Sequence, residues 1–231
     1  MNSWNDILNQ AFDALDKEYQ EFLEKDSGYI PNKDNYLNAF KTLPLEDVKY
    51  ILFGQDPYPR VESASGYAFI DSNVKTLFAP NGLSKEVNKA TSLRNFIKML
   101  LVSMGRLSSQ DTSQQAIARI PKDDLIDSID NLRANFEQNG VLLLNTALVF
   151  TDKKDSTKHI KEWRGFIEVL LSKLQDRDIT LILFGNHAKD IQKRFDLSSF
   201  HIIHTPHPYN TSFITNKDAQ NLFGSMKLLE K

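Results

Sequence analysis

No cysteine occurs anywhere in the 231 residues. Disulfides, thiolate metal sites and a cysteine nucleophile are therefore excluded, and the composition suits a reducing compartment such as the cytoplasm. Long hydrophobic runs are also missing: none approaches the roughly 20 residues that a membrane-spanning helix needs. The opening stretch, Met1 to Asp6, has neither the basic nor the apolar segment of a secretory leader, so no leader is expected. Nor is there an excess of one charge sign. Lys and Arg number 28 against 30 Asp and Glu, a net charge of −2. A generally basic coat for nucleic acid is thus ruled out, and only a local basic site remains open. The phosphate loop GxxxxGK[ST], the dinucleotide fingerprint GxGxxG and the nucleophile elbow GxSxG are all lacking. So is the HxH or HExxH spacing that would support a histidine metal site, and no metal is expected.

The residues that are present read as a globular protein. Hydrophobic residues make up 41% and charged residues 25%, enough apolar material for a sizeable core and too much for disorder. The length suits a single domain over 1–231. The Ser/Gln/Asp-rich region 103–128 reads as a loop with short helical pieces rather than a linker. Four short apolar runs stand out at 48–53 (VKYILF), 141–144 (VLLL), 179–184 (ITLILF) and 200–203 (FHII). Each is too short for a stable helix and lacks alternation, which predicts strands buried on both faces. Helical spacing lies at 83–104, 125–138, 163–174 and 187–195. The first 40 residues are also helical in pattern, with Trp4, Ile7, Leu8, Phe12 and Leu15 on one stripe. Strands alternating with helices predict an α/β fold: a central four-stranded parallel twisted sheet with helices on both faces.

The residues just past each run are more informative. The first run ends in Gly54-Gln55-Asp56-Pro57-Tyr58 and the second in Asn145-Thr146. The third ends in Gly185-Asn186-His187 and the fourth in His204-Thr205-Pro206-His207-Pro208. Open parallel sheets bind ligands just outside the carboxyl ends of their strands, so these clusters together predict a site. For any one cluster, turn and cap duty is an equal alternative. Asp56 sits in a proline-stiffened turn, which suits general-base work or charge stabilisation, although a lone Asp-Pro is more often just a turn. His207 is held between two prolines. His204 reads as a strand-end structural histidine, His201 as a strand residue, and His159 and His187 as surface residues. Tyr58 and Phe69 flank the first cluster. Together with the Asn145 amide and the rigid His207 they predict a pocket for a flat hydrogen-bonding ring such as a nucleobase; core packing is the alternative for two aromatics.

At these residues the sequence resembles the uracil-DNA glycosylase family, family 1 type. Gly54-Gln55-Asp56-Pro57-Tyr58 is similar to the family's water-activating motif, and Gly66-Tyr67-Ala68-Phe69 comes after it at the family's spacing. Leu143-Leu144-Asn145-Thr146 is similar to its uracil-reading strand end, and Leu183-Phe184-Gly185 to its third strand. Pro206-His207-Pro208, with Ser212 beyond, resembles its histidine and DNA-intercalation loop. The likeness runs in order from Trp4 to near the C-terminus, including Leu37-Asn38-Ala39-Phe40. It implies hydrolysis of the N-glycosidic bond of uracil in DNA, leaving an abasic site for base-excision repair. By this resemblance Asp56 positions or activates water and stabilises the sugar cation, and His207 donates to uracil O2, helped by the Gln55 backbone N–H. Asn145 reads uracil N3–H and O4, Phe69 stacks on the ring, and Tyr58 excludes a thymine methyl. No cofactor is implied. The expected partner is uracil-containing DNA, single- or double-stranded, for a cytoplasmic monomer with no membrane association; an inhibitor protein is left open.

The departures concern the DNA-handling loops. Pro59 stands where the family has His. Tyr209-Asn210-Thr211-Ser212 stands where it has Ser-Pro-Leu-Ser, so Thr211 replaces the leucine wedge. Tyr209 and Phe213 are the candidates to take over as wedge. The proline-rich phosphate loop is reduced to Pro80-Asn81-Gly82. DNA contacts are accordingly expected at Pro80, Gly82, Tyr209, Thr211, Ser212 and Phe213. Lys158, Lys161 and Arg164 are a candidate basic patch, against the plain reading of a solvated helix face. Two rival readings accompany the leading one: a relative with weak or lost turnover that binds DNA or protein, and a glycosylase for another damaged base.

Overall fold

The computed structural model describes residues 4–25 and 27–231; residues 1–3, on which part of the leader reading rests, lie outside them. In chain order the helices and strands are α1 (Asn5–Asp13), α2 (Lys17–Glu24), α3 (Asn38–Thr42), β1 (Tyr50–Gly54), β2 (Phe78–Ala79), β3 (Gly82–Leu83), α4 (Lys85–Lys89), α5 (Thr91–Ser103), α6 (Gln114–Ala118) and α7 (Ile129–Gln138). They continue with β4 (Val141–Asn145), α8 (Ser156–Glu162), α9 (Arg164–Leu174), β5 (Thr180–Phe184), α10 (His187–Arg194), β6 (His201–Thr205) and α11 (Lys217–Ser225). The chain condenses into two compact units. The first takes the chain up to Asp71, then Gly140–Leu183 and His187–Ile203; the second takes Ser72–Asn139, Phe184–Asn186 and His204–Lys231.

The first unit is built on a four-stranded parallel sheet in the order β4-β1-β5-β6. β1 pairs with β4 from Tyr50↔Val141 to Gly54↔Asn145 and with β5 from Tyr50↔Thr180 to Leu52↔Ile182. Ile51, Phe53, Leu142, Leu144, Leu181 and Leu183 enter the core of this unit. The intervening Leu52, Leu143 and Ile182 are buried as well. A strand covered on both faces needs apolar residues at every position, which is why these segments read as unbroken runs. β6 differs: it starts at His201, and His201 and His204 are exposed. It lies at the end of the sheet order, where only one neighbour pairs with it.

The amino-terminal stripe also enters this core. Trp4 and Leu15 are buried, and Ile7, Leu8 and Phe12 pack against the same cluster. The Trp4 ring meets Phe40 edge-on at 5.0 Å, and its Nε1 donates to the Leu43 carbonyl at 2.8 Å. Burying a large apolar side chain of this kind is worth roughly 1.5–3 kcal/mol, which fastens α1 and α3 to the layer beneath.

In the second unit the helical pattern at 83–104 is split in two. Ala90 takes ψ 83°, which ends α4 and lets α5 restart at Thr91. The pattern at 125–138 starts four residues late, because the Ser128 hydroxyl caps α7 by accepting from Asn131 N–H. Ile126 N–H instead bonds the Leu229 carbonyl at 2.9 Å. The polar region 103–128 holds α6 among turns. The core of this unit is aromatic: Phe96 lies edge-on to Phe223 at 4.9 Å and 5.9 Å from Phe213. Among the described residues no helix is long and apolar enough to cross a membrane.

Candidate active site

Parallel pairing in register puts Gly54 beside Asn145, at the carboxyl ends of β1 and β4. The two strand ends are clamped just past the sheet. Thr146 N–H donates to the Gly54 carbonyl at 3.0 Å, and Ala147 N–H to the Gln55 carbonyl at 2.9 Å. The Thr146 hydroxyl donates to the same Gln55 carbonyl at 2.9 Å. The Gln55 backbone is thereby fixed while its side chain stays in solvent.

Asn145 is 5% exposed, and its side chain makes no hydrogen bond with any described residue. A buried amide normally has partners, because burying its donor and acceptor unpaired costs free energy. This one is free to pair with a ligand. Gly54 makes the room: a Cβ there would lie 2.2 Å from Asn145 Oδ1 and 3.0 Å from the Ala68 Cβ. Ala68 N–H donates to the Leu143 carbonyl at 3.0 Å, which ties the segment carrying Phe69 to β4. Phe69 has φ 69°, a left-handed conformation that is costly for a bulky residue and is found where neighbours hold it in place. Its carbonyl accepts from the Tyr58 hydroxyl at 3.4 Å. Burial, with the Asp71 charge adding to it, pushes the Tyr58 phenol far above its usual pKa. The ring is a neutral wall.

Asp56 is half-buried in its proline turn. Its Oδ2 accepts from the Ser156 hydroxyl at 2.5 Å, and Ser156 itself is buried at the start of α8. No local signal in the sequence picks out Ser156, which lies 100 residues from its partner. His187 also belongs here rather than at the surface. Its Nε2 lies 3.3 Å from the Gly54 carbonyl, and burial lowers its pKa against the opposing pull of that bond.

His207 belongs to the second unit. Its Nδ1 accepts from Tyr209 N–H at 3.0 Å. An Nδ1 that accepts carries no proton, so the neutral ring has its proton on Nε2 and offers an N–H outward. Partial desolvation lowers the His207 pKa, which favours this neutral form although the residue keeps solvent exposure. Gly185, at φ 54°, turns the chain against it: a Cβ there would lie 2.8 Å from the His207 Cβ. Phe184 meets the imidazole edge-on at 6.1 Å.

The family model of the uracil DNA glycosylase superfamily matches residues 40–226. The chain belongs to this superfamily. Uracil-DNA glycosylase of Fusobacterium nucleatum subsp. nucleatum is 30% identical over 216 residues, covering 90% of this chain and 80% of that protein. The enzyme of the same name from Shouchella clausii is 28% identical over 230 residues, covering 97% and 84%. The crystal structure of wild-type UNG from Nitratifractor salsuginis matches with a TM-score of 0.97 at 53% identity, covering 99% of this chain and 92% of that one. Mimivirus uracil-DNA glycosylase, 20% identical with a TM-score of 0.54, covers 89% of this chain and 67% of its own and shares the fold.

Several expected positions of this glycosylase-superfamily chain need correction. Phe213 is fully buried among Phe96, Phe184 and Phe223, so it is a core ring and not a wedge. Gly82 is covered by Gln114, and the Leu83 N–H donates to Gln114 Oε1 at 2.7 Å; it packs a hairpin instead of facing DNA. Pro80, at the tip of that hairpin, is exposed, as are Tyr209, Thr211 and Ser212. His159 is 3% exposed, with Tyr19 Oη 2.6 Å from Nδ1 and Thr151 Oγ1 3.0 Å from Nε2. Arg164 is paired with Glu168 at 2.7 Å. Lys158 and Lys161 share a cavity of about 630 Å³ with Asp16, Glu18, Asp155 and Glu162. That expected basic patch is thus outnumbered by carboxylates. Among the described residues no group of three or more His, Asp or Glu is placed to hold a metal ion.

Proposed function

We propose that this protein excises uracil from DNA by hydrolysing the N-glycosidic bond, leaving an abasic site that starts base-excision repair. The observation that carries the reading is the free, buried Asn145 amide in register with Gly54. An amide offers one acceptor face and one donor face, which matches uracil N3–H and O4. Cytosine presents the opposite pattern on that edge and would leave buried groups unpaired, a strong form of discrimination. Phe69 stacks on the base, and the Tyr58 ring occupies the space of a 5-methyl group. Asp56, held by Ser156, positions water and stabilises the positive charge that develops on the sugar. The Nε2–H of His207 and the Gln55 backbone N–H meet the negative charge that gathers on the departing uracil. A fixed donor of this kind is worth roughly 3–4 kcal/mol of transition-state stabilisation. The chemistry we assign needs no cofactor.

The whole chain, 1–231, acts in this proposal as one glycosylase domain, monomeric and cytoplasmic. The two exposed large apolar side chains among the described residues, Val61 and Tyr209, are too few for an extended apolar interface. Absence of cysteine is in keeping with a reducing compartment. The test is incubation with an oligonucleotide carrying one uracil, and then alkaline cleavage. Strand breaks at the uracil are expected. Intact strands with a folded protein would favour the reading as a binding relative, and breaks only at another deaminated base would favour the third reading.

A further inference from the structure

In the second unit a cavity of about 390 Å³ is lined by two cations and no carboxylate. Arg94 and Lys98 stand four residues apart on α5 and so share one face of that helix. Both are half-buried. Arg94 donates to the Asn88 carbonyl at 3.0 Å, and neither cation forms an ion pair with a described residue. Like charges at this spacing repel. Burial, reinforced by the Arg94 charge, lowers the Lys98 pKa; an anion between the two cations offsets their mutual repulsion. The remaining lining is neutral: the Asn88 and Gln114 amides bond each other and the Leu83 backbone, and Thr112 and Thr211 add hydroxyl groups.

The cavity is also fastened to the loop that carries His207. Asn95, between the two cations on α5, is buried and donates to the carbonyls of Pro208 at 2.8 Å and Tyr209 at 3.2 Å. Thr211 lines the cavity directly. An anion held there has a fixed offset from that loop. The contrast with the cavity holding Lys158 and Lys161 is one of sign: four carboxylates accompany those two lysines, so an anion is repelled there.

We propose that the Arg94–Lys98 cavity is a phosphodiester site that holds one backbone phosphate of bound DNA. This rests on the reading of the protein as one that acts on DNA. A guanidinium fork and an ammonium together match the oxygens of a phosphate, and such a contact fixes register without reading sequence.

The test uses the full chain and a duplex carrying a non-cleavable uracil analogue, with Kd measured across a salt series. Releasing the counterion of one phosphate contributes about 0.9 to the slope of log K against log salt on a duplex and about 0.7 on a single strand. Lys98→Gln, and Arg94→Gln with Lys98→Gln, should lower the slope by that amount and weaken binding severalfold, whatever the sequence. Lys98→Arg should keep the slope, and Lys161→Gln should not change it. Thermal melts confirm that each variant is folded. An unchanged slope in both neutralised variants overturns the site. So does an unchanged slope combined with inorganic phosphate raising the Tm of the unaltered protein but not of Lys98→Gln, which would make the occupant a free anion. Uracil excision by the unaltered protein is measured alongside. If it binds DNA and the variants lose slope but no uracil is excised, the excision reading fails and the phosphate site stands. If uracil is excised and the slopes agree, the phosphate site alone fails.

Discussion

Ser156 donates its hydroxyl hydrogen to Asp56 Oδ2 at 2.5 Å. The serine is buried where α8 begins, and the aspartate is half-buried in a turn between Gln55 and Pro57. A carboxylate with one oxygen engaged has lost its freedom to rotate. In the proposed mechanism the other oxygen, Oδ1, is then the one left to orient water. If Asp56 has the role proposed for it, holding it in place in this way supplies part of the rate enhancement.

Replacement of Ser156 should therefore act on the chemical step. A hydrogen bond to a charged group is worth about 1.5–3 kcal/mol, so Ser156→Ala should lower kcat by roughly tenfold to a hundredfold. KM should stay within a few-fold, because Ser156 is placed to act through Asp56 and not on the base. Ser156→Thr keeps the hydroxyl and should restore most of the rate. A kcat unchanged in the alanine variant would show that Asp56 is oriented without it.

Gly54 offers a test of the role proposed for the Asn145 amide. A methyl group at this position would lie 2.2 Å from Asn145 Oδ1, too close for Asn145 to keep its place. Overpacking a buried site typically costs about 1–3 kcal/mol, which a folded domain survives. Gly54→Ala should thus remain folded by circular dichroism while its kcat/KM on uracil falls by about a hundredfold or more, the scale of a lost transition-state contact. Normal excision by a folded Gly54→Ala would mean that the Asn145 side chain need not stay where it is.

His159 gives a pH dependence with a definite sign. Burial lowers its pKa, and the Asp155, Asp56 and Asp152 charges only partly oppose this. The unfolded chain therefore binds a proton near the ordinary value of about 6.5, while the folded chain does not until a lower pH. Stability is unaffected well above 6.5 and falls as pH drops through that value toward the folded pKa, since the unfolded state then holds more protons. Tm should decline over that window, and His159→Gln should flatten the decline, leaving the shares of His187 and His207, whose pKa values are also lowered. An equally steep decline in the variant would remove His159 from the effect.

Local pattern is sufficient for β1, β4 and β5 and for the clusters just past β1 and β4, but not for the exposed histidines of β6 or the short β2–β3 hairpin. A strand buried on both faces leaves an unmistakable apolar run, and the register Gly54↔Asn145 brings two such run-ends together. Local pattern fails where the deciding partner is remote. His159 reads as a surface residue because its partner Tyr19 lies 140 residues away, and nothing local marks Ser156, whose partner Asp56 lies 100 residues away. Arg94 and Lys98 sit in a helical pattern that looks amphipathic, and their lack of a carboxylate neighbour is a fact of packing and not of spacing. Phe213 reads as a loop-borne wedge because its loop is short and polar on either side. Nothing local reveals that its ring turns inward to Phe96 and Phe184.

That inward turn sharpens the question of what fills the gap when a base leaves the duplex. Thr211 is exposed but small, and Phe213 is committed to the core. Tyr209 is 67% exposed on a backbone held at both ends, its N–H on His207 Nδ1 and its carbonyl on Asn95. An exposed ring on a fixed backbone is suited to stacking on bases, worth about 1–3 kcal/mol by alanine substitution. Flipping a base costs least in a single strand, so a wedge matters chiefly in a duplex. Tyr209→Ala should therefore lower kcat/KM on duplex uracil by roughly tenfold and on the matched single strand by much less. Phe213→Ala should behave differently. Removing a fully buried phenylalanine costs about 3–5 kcal/mol of stability, and any loss of activity should track the folded fraction equally on both substrates. If Tyr209→Ala weakens both substrates alike, or if a folded Phe213→Ala is selectively impaired on the duplex, Tyr209 is not the residue that occupies the vacated space.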